Sequence, residues 1–230
     1  MRDDNSFVSR TITARQNFFC FHGLQQFGKF VSAMPERDKT FPPSPGPNFV
    51  RRTPDGDTHE RHVCAQCEYI HYSNPKIVVG AVVTQRDHIL LCRRAIEPRR
   101  NFWTLPAGYL EEHETPQDGA VREAHEEANA QIEIDALLAV YAVPHISQVH
   151  LMYRARLAHD SYSAGSESLE VRLFAWDEIP WDQLAFPSVK WALDHWKESK
   201  ELKGFSPFTN PIWGPDGRPN SPASPRSGAS

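Results

Sequence analysis

A run of acidic residues between Gly108 and Ala130 constrains this chain more than any other feature of its sequence. Four glutamates lie in it, at Glu114, Glu123, Glu126 and Glu127. Like charges three or four residues apart on a helix repel each other, so the pattern disfavours the alternative of a solvated surface helix. Carboxylate oxygens are ligands that Mg²⁺ prefers, and such a site holds the cation against a phosphate. The run therefore predicts a helix that carries a divalent-metal site.

The same stretch has the signals of a helix from about Pro116 to Ala128. Thr115 can cap this helix, Pro116 suits its first position, and Asp118 stands at the capping-box position. Alanines recur every four residues along one stripe, which allows a close approach to a sheet. Asn129 follows at the left-handed terminal position, where Asn is the usual substitute for Gly.

The spacing of these residues resembles the Nudix box, a pattern of one glycine, one glutamate and an Arg-Glu-x-x-Glu-Glu core at fixed offsets. The matching positions, in order, are Gly108, Glu114, Arg122, Glu123, Ala124, Glu126, Glu127 and Ala130. Asn129 replaces the second glycine of the pattern. Because Asn tolerates a positive φ, we expect the turn to survive.

The resemblance assigns roles to these positions. The expected ligands of Mg²⁺ or Mn²⁺ are Glu123, Glu126 and Glu127. Glu126 is also a candidate catalytic residue. Gly108, Glu114 and Arg122 are expected to brace the loop and the helix, and Arg122 can pair with Glu126 four residues later. Loss of such bracing residues is costly because it misplaces the ligands.

Further residues are candidates for the reaction and for substrate contact. Glu170 resembles an acid found before a strand in close relatives, where a base is needed; the alternative is a solvated loop acid. Arg93 and Arg94 are expected to meet the substrate phosphates; the alternative is a solvated basic loop. Trp103 is a candidate to stack on adenine. The alternative, that its side chain packs in the hydrophobic core, is favoured.

Proline marks the boundaries of the ordered chain, because six of the nineteen prolines precede residue 63 and six follow residue 206. We expect residues 1–53 to be largely disordered, residues 54–75 to resemble half of a zinc ribbon, residues 76–203 to form the Nudix domain, and residues 204–230 to be a disordered tail.

Strand and helix signals alternate between these tails. The expected strands are Ile77–Thr84, His88–Arg94, Ala136–Val143, Val149–Leu157 and Val171–Trp176, and a second helix is expected from Ser188, as its cap, to about Lys200. This alternation favours a sheet between helices. The resemblance implies the same class, an α/β protein with a Nudix-type α/β/α sandwich around a mixed sheet, preceded by a degenerate zinc-ribbon-like segment.

Cys64 and Cys67 form a C-x2-C knuckle, which supplies half of a tetrahedral zinc site. Some Nudix enzymes have a four-cysteine zinc ribbon before the catalytic domain, but the first knuckle is missing here. One alternative is a Zn²⁺ ion completed by Cys20 and His22. The other is a degenerate ribbon with free thiols, and an inserted segment near residues 20–50 produces the same appearance.

Composition excludes some classes of protein. The net charge of −4 argues against a strongly basic nucleic-acid surface. The longest apolar run, about Ile77–Val83, is too short to span a bilayer. A cytoplasmic protein is expected; Arg2, Arg10 and Arg15 suggest organelle import, but the acidic residues at the amino terminus disfavour it.

The resemblance implies hydrolysis of a pyrophosphate bond in a nucleoside diphosphate linked to another moiety. Residues 105–111 and 167–174 are similar to a subgroup that acts on FAD or ADP-ribose and releases AMP. NADH and RNA-cap pyrophosphatases are alternatives, as is a non-catalytic nucleotide-binding protein with this scaffold. Homodimerisation is implied by the resemblance alone.

Overall fold

A computed structural model describes residues 46–211 of the chain. Its strands are β1 Phe49–Arg52, β2 Arg61–Cys64, β3 Ile70–His71, β4 Lys76–Gln85, β5 His88–Arg94, β6 Trp103–Thr104, β7 Ala107–Tyr109, β8 Ile132–Val143, β9 Gln148–Leu157 and β10 Ser168–Phe174. Its α-helices are α1 Pro116–Ala128 and α2 Pro187–Ser199.

The first three strands form a small antiparallel sheet in the order β1-β2-β3. Phe49 pairs with Cys64, so ordered structure begins before the boundary expected at residue 54. The amide groups of Cys67 and Gln66 donate to the Cys64 sulfur and lower the pKa of its thiol. Cys64 and Cys67 therefore form the C-x2-C knuckle, and both are free thiols. Cys20 and His22 lie outside the described residues.

The other strands form a mixed sheet in the order β10-β5-β4-β9-β8, with β6 paired to β5 and β7 paired to β4. β4 and β9 run parallel, with Val79 opposite Leu151, and their neighbours run antiparallel. β4 lies at the centre because its residues from Val79 to Val83 are buried. The hairpin expected between β4 and β5 is confirmed.

One helix covers each face of this sheet, which confirms the sandwich. Ala120, Ala124 and Ala128 on α1 are fully buried against β4 and β5. Without large side chains there, the helix axis comes close to the sheet. On the opposite face, Leu193 and Trp196 of α2 join a second core cluster. Truncating a buried leucine such as Leu193 typically costs about 2–5 kcal/mol.

Three elements differ most from the expected bounds. α2 begins at Pro187 with Phe186 at the N-cap position and no side-chain cap, so the predicted cap at Ser188 is wrong. The fixed φ of proline sets that start. β10 is displaced towards the amino terminus relative to the expected strand, and β8 begins earlier, because both pair over their length with neighbouring strands.

The carboxyl-terminal boundary expected at residue 204 is also too early. Phe208 donates its amide to Leu138 O (2.9 Å) and accepts from Val140 N (2.9 Å), which extends the sheet beside β8. Asn210 exchanges two 2.7 Å hydrogen bonds with the backbone of Ala142. These residues cover an edge strand, which would otherwise expose unpaired backbone groups. Within residues 46–211, no helix is long and apolar enough to cross a membrane.

Candidate active site

A cleft of about 1100 Å³ opens beside α1. The acidic face of α1 forms one wall, with the backbone of β7 next to it. The lining also includes apolar side chains, among them Met152, Phe186, Val189 and Trp191. The cleft therefore combines acidic and apolar lining, as a site for a charged phosphate joined to a planar base requires.

Arg122 connects the acids of the charged wall. Its guanidinium donates to both carboxylate oxygens of Glu114 (2.8 and 3.1 Å) and to the backbone oxygen of Tyr109 (2.9 Å). It also donates to Glu123 (2.8 Å) and to Glu126 (3.1 Å). The bond from Arg122 lowers the pKa of Glu114. Arg122 and Glu114 thus hold the β7 loop against α1, as the bracing role requires.

Glu127 is the most buried acid of the site, with 6% of its surface exposed. Burial raises its pKa to about 8, although the Ala107 amide donates to it (3.2 Å). Burial also raises the pKa of Glu123, against the opposing effect of Arg122. A buried carboxylate with so little compensation is costly without a counter-charge. The residues present therefore fit a bound divalent cation.

No three His, Cys, Asp or Glu side chains converge as a ligand set within residues 46–211. One amino group of Arg122 donates to the carboxylates of both Glu123 and Glu126. It supplies the positive charge that keeps these acids together. A cation would need Glu126, whose side chain is 55% exposed, to turn away from Arg122.

Gly108 packs directly against Glu123. A Cβ atom added at residue 108 would lie 2.3 Å from Oε1 of Glu123. This contact leaves no room for a side chain, which explains why glycine stands at this position.

Replacing Gly108 with alanine should therefore lower hydrolysis about tenfold, through displacement of the Glu123 carboxylate. The Glu123 carboxylate is the end of a flexible side chain and can shift with little loss of stability. The melting temperature should therefore stay close to the wild-type value. Gly204→Ala is the matched control, since a Cβ there meets nothing within 4 Å. Steady-state kinetics and thermal melts of both variants check this, and wild-type activity of Gly108→Ala would contradict it.

Arg94 is the one residue of the expected substrate group that lines the cleft. Its guanidinium lies 5.3 Å from the Phe186 ring centre and close enough to Glu127 to interact with its charge. It therefore lies near both an acid of the box and an apolar ring of the cleft lining.

Three other candidates do not line the cleft in the described part of the chain. Trp103 is buried in the core, the place that the sequence favoured, with its ring 4.8 Å from that of Phe174. Arg93 and Glu170 pair with each other at 3.3 Å on neighbouring strands. The register of β10 against β5 brings these two residues opposite each other.

Several cleft residues were not chosen as candidates from the sequence. Glu167 lines the cleft, and its charge interacts with those of Glu123 and Glu127. Tyr109 accepts from Gln148 (3.0 Å), which pairs in turn with His150 (2.9 Å). No local motif marks Tyr109, Gln148 or His150. Glu167 stands three residues before Glu170, and only the strand register distinguishes the two acids.

An acidic cleft of this kind on an α/β/α sandwich is that of an enzyme of the phosphoric-anhydride hydrolase class. The family model described as NUDIX domain matches residues 74–195, more than half of the chain. The model described as Nudix N-terminal, a zinc-ribbon family, matches residues 46–73. The chain belongs to the Nudix hydrolase family.

Individual relatives agree with this membership. The structure of a NUDIX hydrolase from Nitrosomonas europaea is 46% identical with a TM-score of 0.67, over 70% of this chain and 93% of that one. An ADP-ribose pyrophosphatase of Methanocaldococcus jannaschii is 28% identical over 56% of this chain and 79% of its own length. A MutT-like protein of Streptomyces ambofaciens is 35% identical over 44% of this chain, which spans 64% of that relative.

Proposed function

We propose that the chain hydrolyses the pyrophosphate bond of a nucleoside diphosphate linked to another moiety, with ADP-ribose or FAD as substrate and AMP as one product. The observation that carries this proposal is the buried Glu127 beside Glu123, in a cleft whose lining also includes apolar side chains. The M. jannaschii relative named ADP-ribose pyrophosphatase supports the choice of substrate.

Glu123, Glu126 and Glu127 would hold Mg²⁺ or Mn²⁺. The bound cation would neutralise the pyrophosphate and lower the pKa of a bound water. Arg122 bonds to Glu123 and Glu126, and its bond to Glu126 would have to open for that side chain to reach the cation. The two bonds from Arg122 to Glu114 would keep the loop braced.

Arg94 is proposed to bind a substrate phosphate, because its guanidinium lies near both an acid of the box and Phe186. A guanidinium offers paired donors to phosphate oxygens and adds positive charge where the leaving group forms. The apolar lining that includes Phe186 and Trp191 suits the planar base. Glu167 is proposed as the base that takes the proton of the attacking water, in place of Glu170.

The experiment is release of AMP from a panel of ADP-ribose, FAD, NADH, NAD and NAD-capped RNA, with Mg²⁺ or Mn²⁺ and with EDTA as the control. We expect metal-dependent AMP formation from ADP-ribose or FAD, abolished by EDTA. Faster turnover of NADH or capped RNA would reassign the substrate. Nucleotide binding without turnover would favour the non-catalytic alternative. Light scattering of the same sample tests the predicted homodimer.

A further inference from the structure

Asn129 makes contacts that the glycine of the box pattern cannot make. Its backbone has φ 45°, and its amide closes the helix end by donating to Ala124 and His125. Its side-chain nitrogen donates to three oxygens of the loop after β9: the backbone oxygen of Ser163 (3.3 Å), the Ser163 hydroxyl (3.1 Å) and the backbone oxygen of Ala164 (3.2 Å). A glycine would keep the turn and lose this bridge.

The same loop also closes the carboxyl end of α1 through its backbone. Ser163 donates to Ala128 O (2.8 Å) and Gly165 donates to Glu127 O (3.0 Å). These carbonyls belong to the last turn, where a helix lacks internal partners. A Cβ at Gly165 would lie 1.7 Å from the backbone oxygen of Glu126, so only glycine allows this approach.

The loop leads directly to Glu167 at the rim of the cleft. The backbone oxygen of Glu167 accepts from Ala95 N (2.8 Å) at the end of β5, and a turn joins Ser168 N to Gly165 O (3.2 Å). Glu167 is therefore held from two sides, by β5 and, through the loop, by α1. Its carboxylate lies close enough to interact electrostatically with Glu123 and Glu127.

We propose that Asn129 is a positioning residue that fixes the loop of residues 162–167 on the end of α1, so that Glu167 faces the acids of the box. The proposal rests on the proposed function. Asn129 thus keeps the left-handed turn that the glycine of the box pattern would make, and its side chain adds an anchor for the loop.

The first test needs no substrate. Asn129→Gly preserves the left-handed turn and deletes only the anchor, so the melting temperature should change little. Hydrogen exchange of the Ser163 and Gly165 amides should become about tenfold faster, as expected for losing about 1.4 kcal/mol of hydrogen bonding. The exchange of amides within β4 serves as the control. Unchanged exchange in the loop would overturn the proposal.

The second test is a double-mutant cycle in the full-length chain. Asn129→Gly should lower kcat about tenfold with little change in KM, and should add almost nothing when Glu167 is already glutamine. Asn129→Asp has the same shape, cannot donate, and places a negative charge against the backbone oxygens of Ser163 and Ala164, so it should lower kcat at least as much as Asn129→Gly. An equal loss of kcat in both backgrounds, or full activity of Asn129→Asp, would overturn the proposal.

The two tests also separate this inference from the proposed function. If the wild type turns over no member of the panel, the proposed function fails, and with it the link from Asn129 to Glu167. If the wild type is active but Asn129→Gly leaves kcat unchanged, only the positioning role fails.

Discussion

Replacing Glu127 with glutamine is expected to lower metal-dependent hydrolysis by at least about a hundredfold. Glu127 is the most buried carboxylate of the site and accepts a hydrogen bond from the Ala107 amide. Glutamine keeps the shape and offers a neutral oxygen to the cation. The loss should therefore appear in kcat, measured as AMP release at saturating Mg²⁺.

A thermal melt distinguishes loss of the metal site from loss of the fold. Glutamine is neutral, so the metal-free variant should be at least as stable as the wild type, which buries a carboxyl here. Mg²⁺ at about a hundred times its Kd should raise the free energy of unfolding of the wild type by about 2.7 kcal/mol and that of the variant by much less.

The matched control is Glu112→Gln, which changes an exposed acid that does not line the cleft. It should leave both the rate and the response to Mg²⁺ at wild-type values. A Glu127→Gln variant that retains the wild-type rate and the wild-type response to Mg²⁺ would contradict the proposed ligand set. A variant that melts well below the wild type in EDTA would show that Glu127 serves the fold instead.

Glu167→Gln is expected to lower kcat by about a hundredfold, whereas Glu170→Gln should leave it unchanged. A general base contributes roughly a hundredfold or more, and only Glu167 lines the cleft. Glu170 pairs with Arg93 at 3.3 Å, and both side chains are partly exposed. Losing such a surface pair costs about 1 kcal/mol or less.

The two variants are controls for each other, since they make the same change three residues apart. The pH dependence of kcat adds a second readout, because removal of the base should flatten the acidic limb of the wild-type profile. If Glu170→Gln loses activity and Glu167→Gln does not, the assignment made from the sequence is restored and the correction drawn from strand register is wrong.

The sequence predicted the parts of the site that depend on local geometry. Thr115 accepts from the Asp118 amide (3.2 Å), and α1 runs from Pro116 to Ala128 as expected. The pairing of Arg122 with Glu126 follows from helical spacing. Residues on one helix have fixed relative positions, so a pattern of offsets is already a pattern in space.

The sequence could not predict contacts set by the register between distant strands. Glu167 and Glu170 have similar surroundings along the chain, and the pairing of β10 with β5 decides that one lines the cleft and the other does not. In a strand, a shift of one residue turns a side chain to the opposite face.

The sequence by itself thus determined the family, the sandwich and the helix that carries the acids, because these depend on periodicity and on spacing within single elements. Only the tertiary structure decided which acid faces the cleft, that Phe208 pairs with the edge strand β8, and that Asn129 anchors the loop 34 residues further along. Those contacts join segments far apart in the chain, and no local pattern records which distant partner a polar side chain will meet.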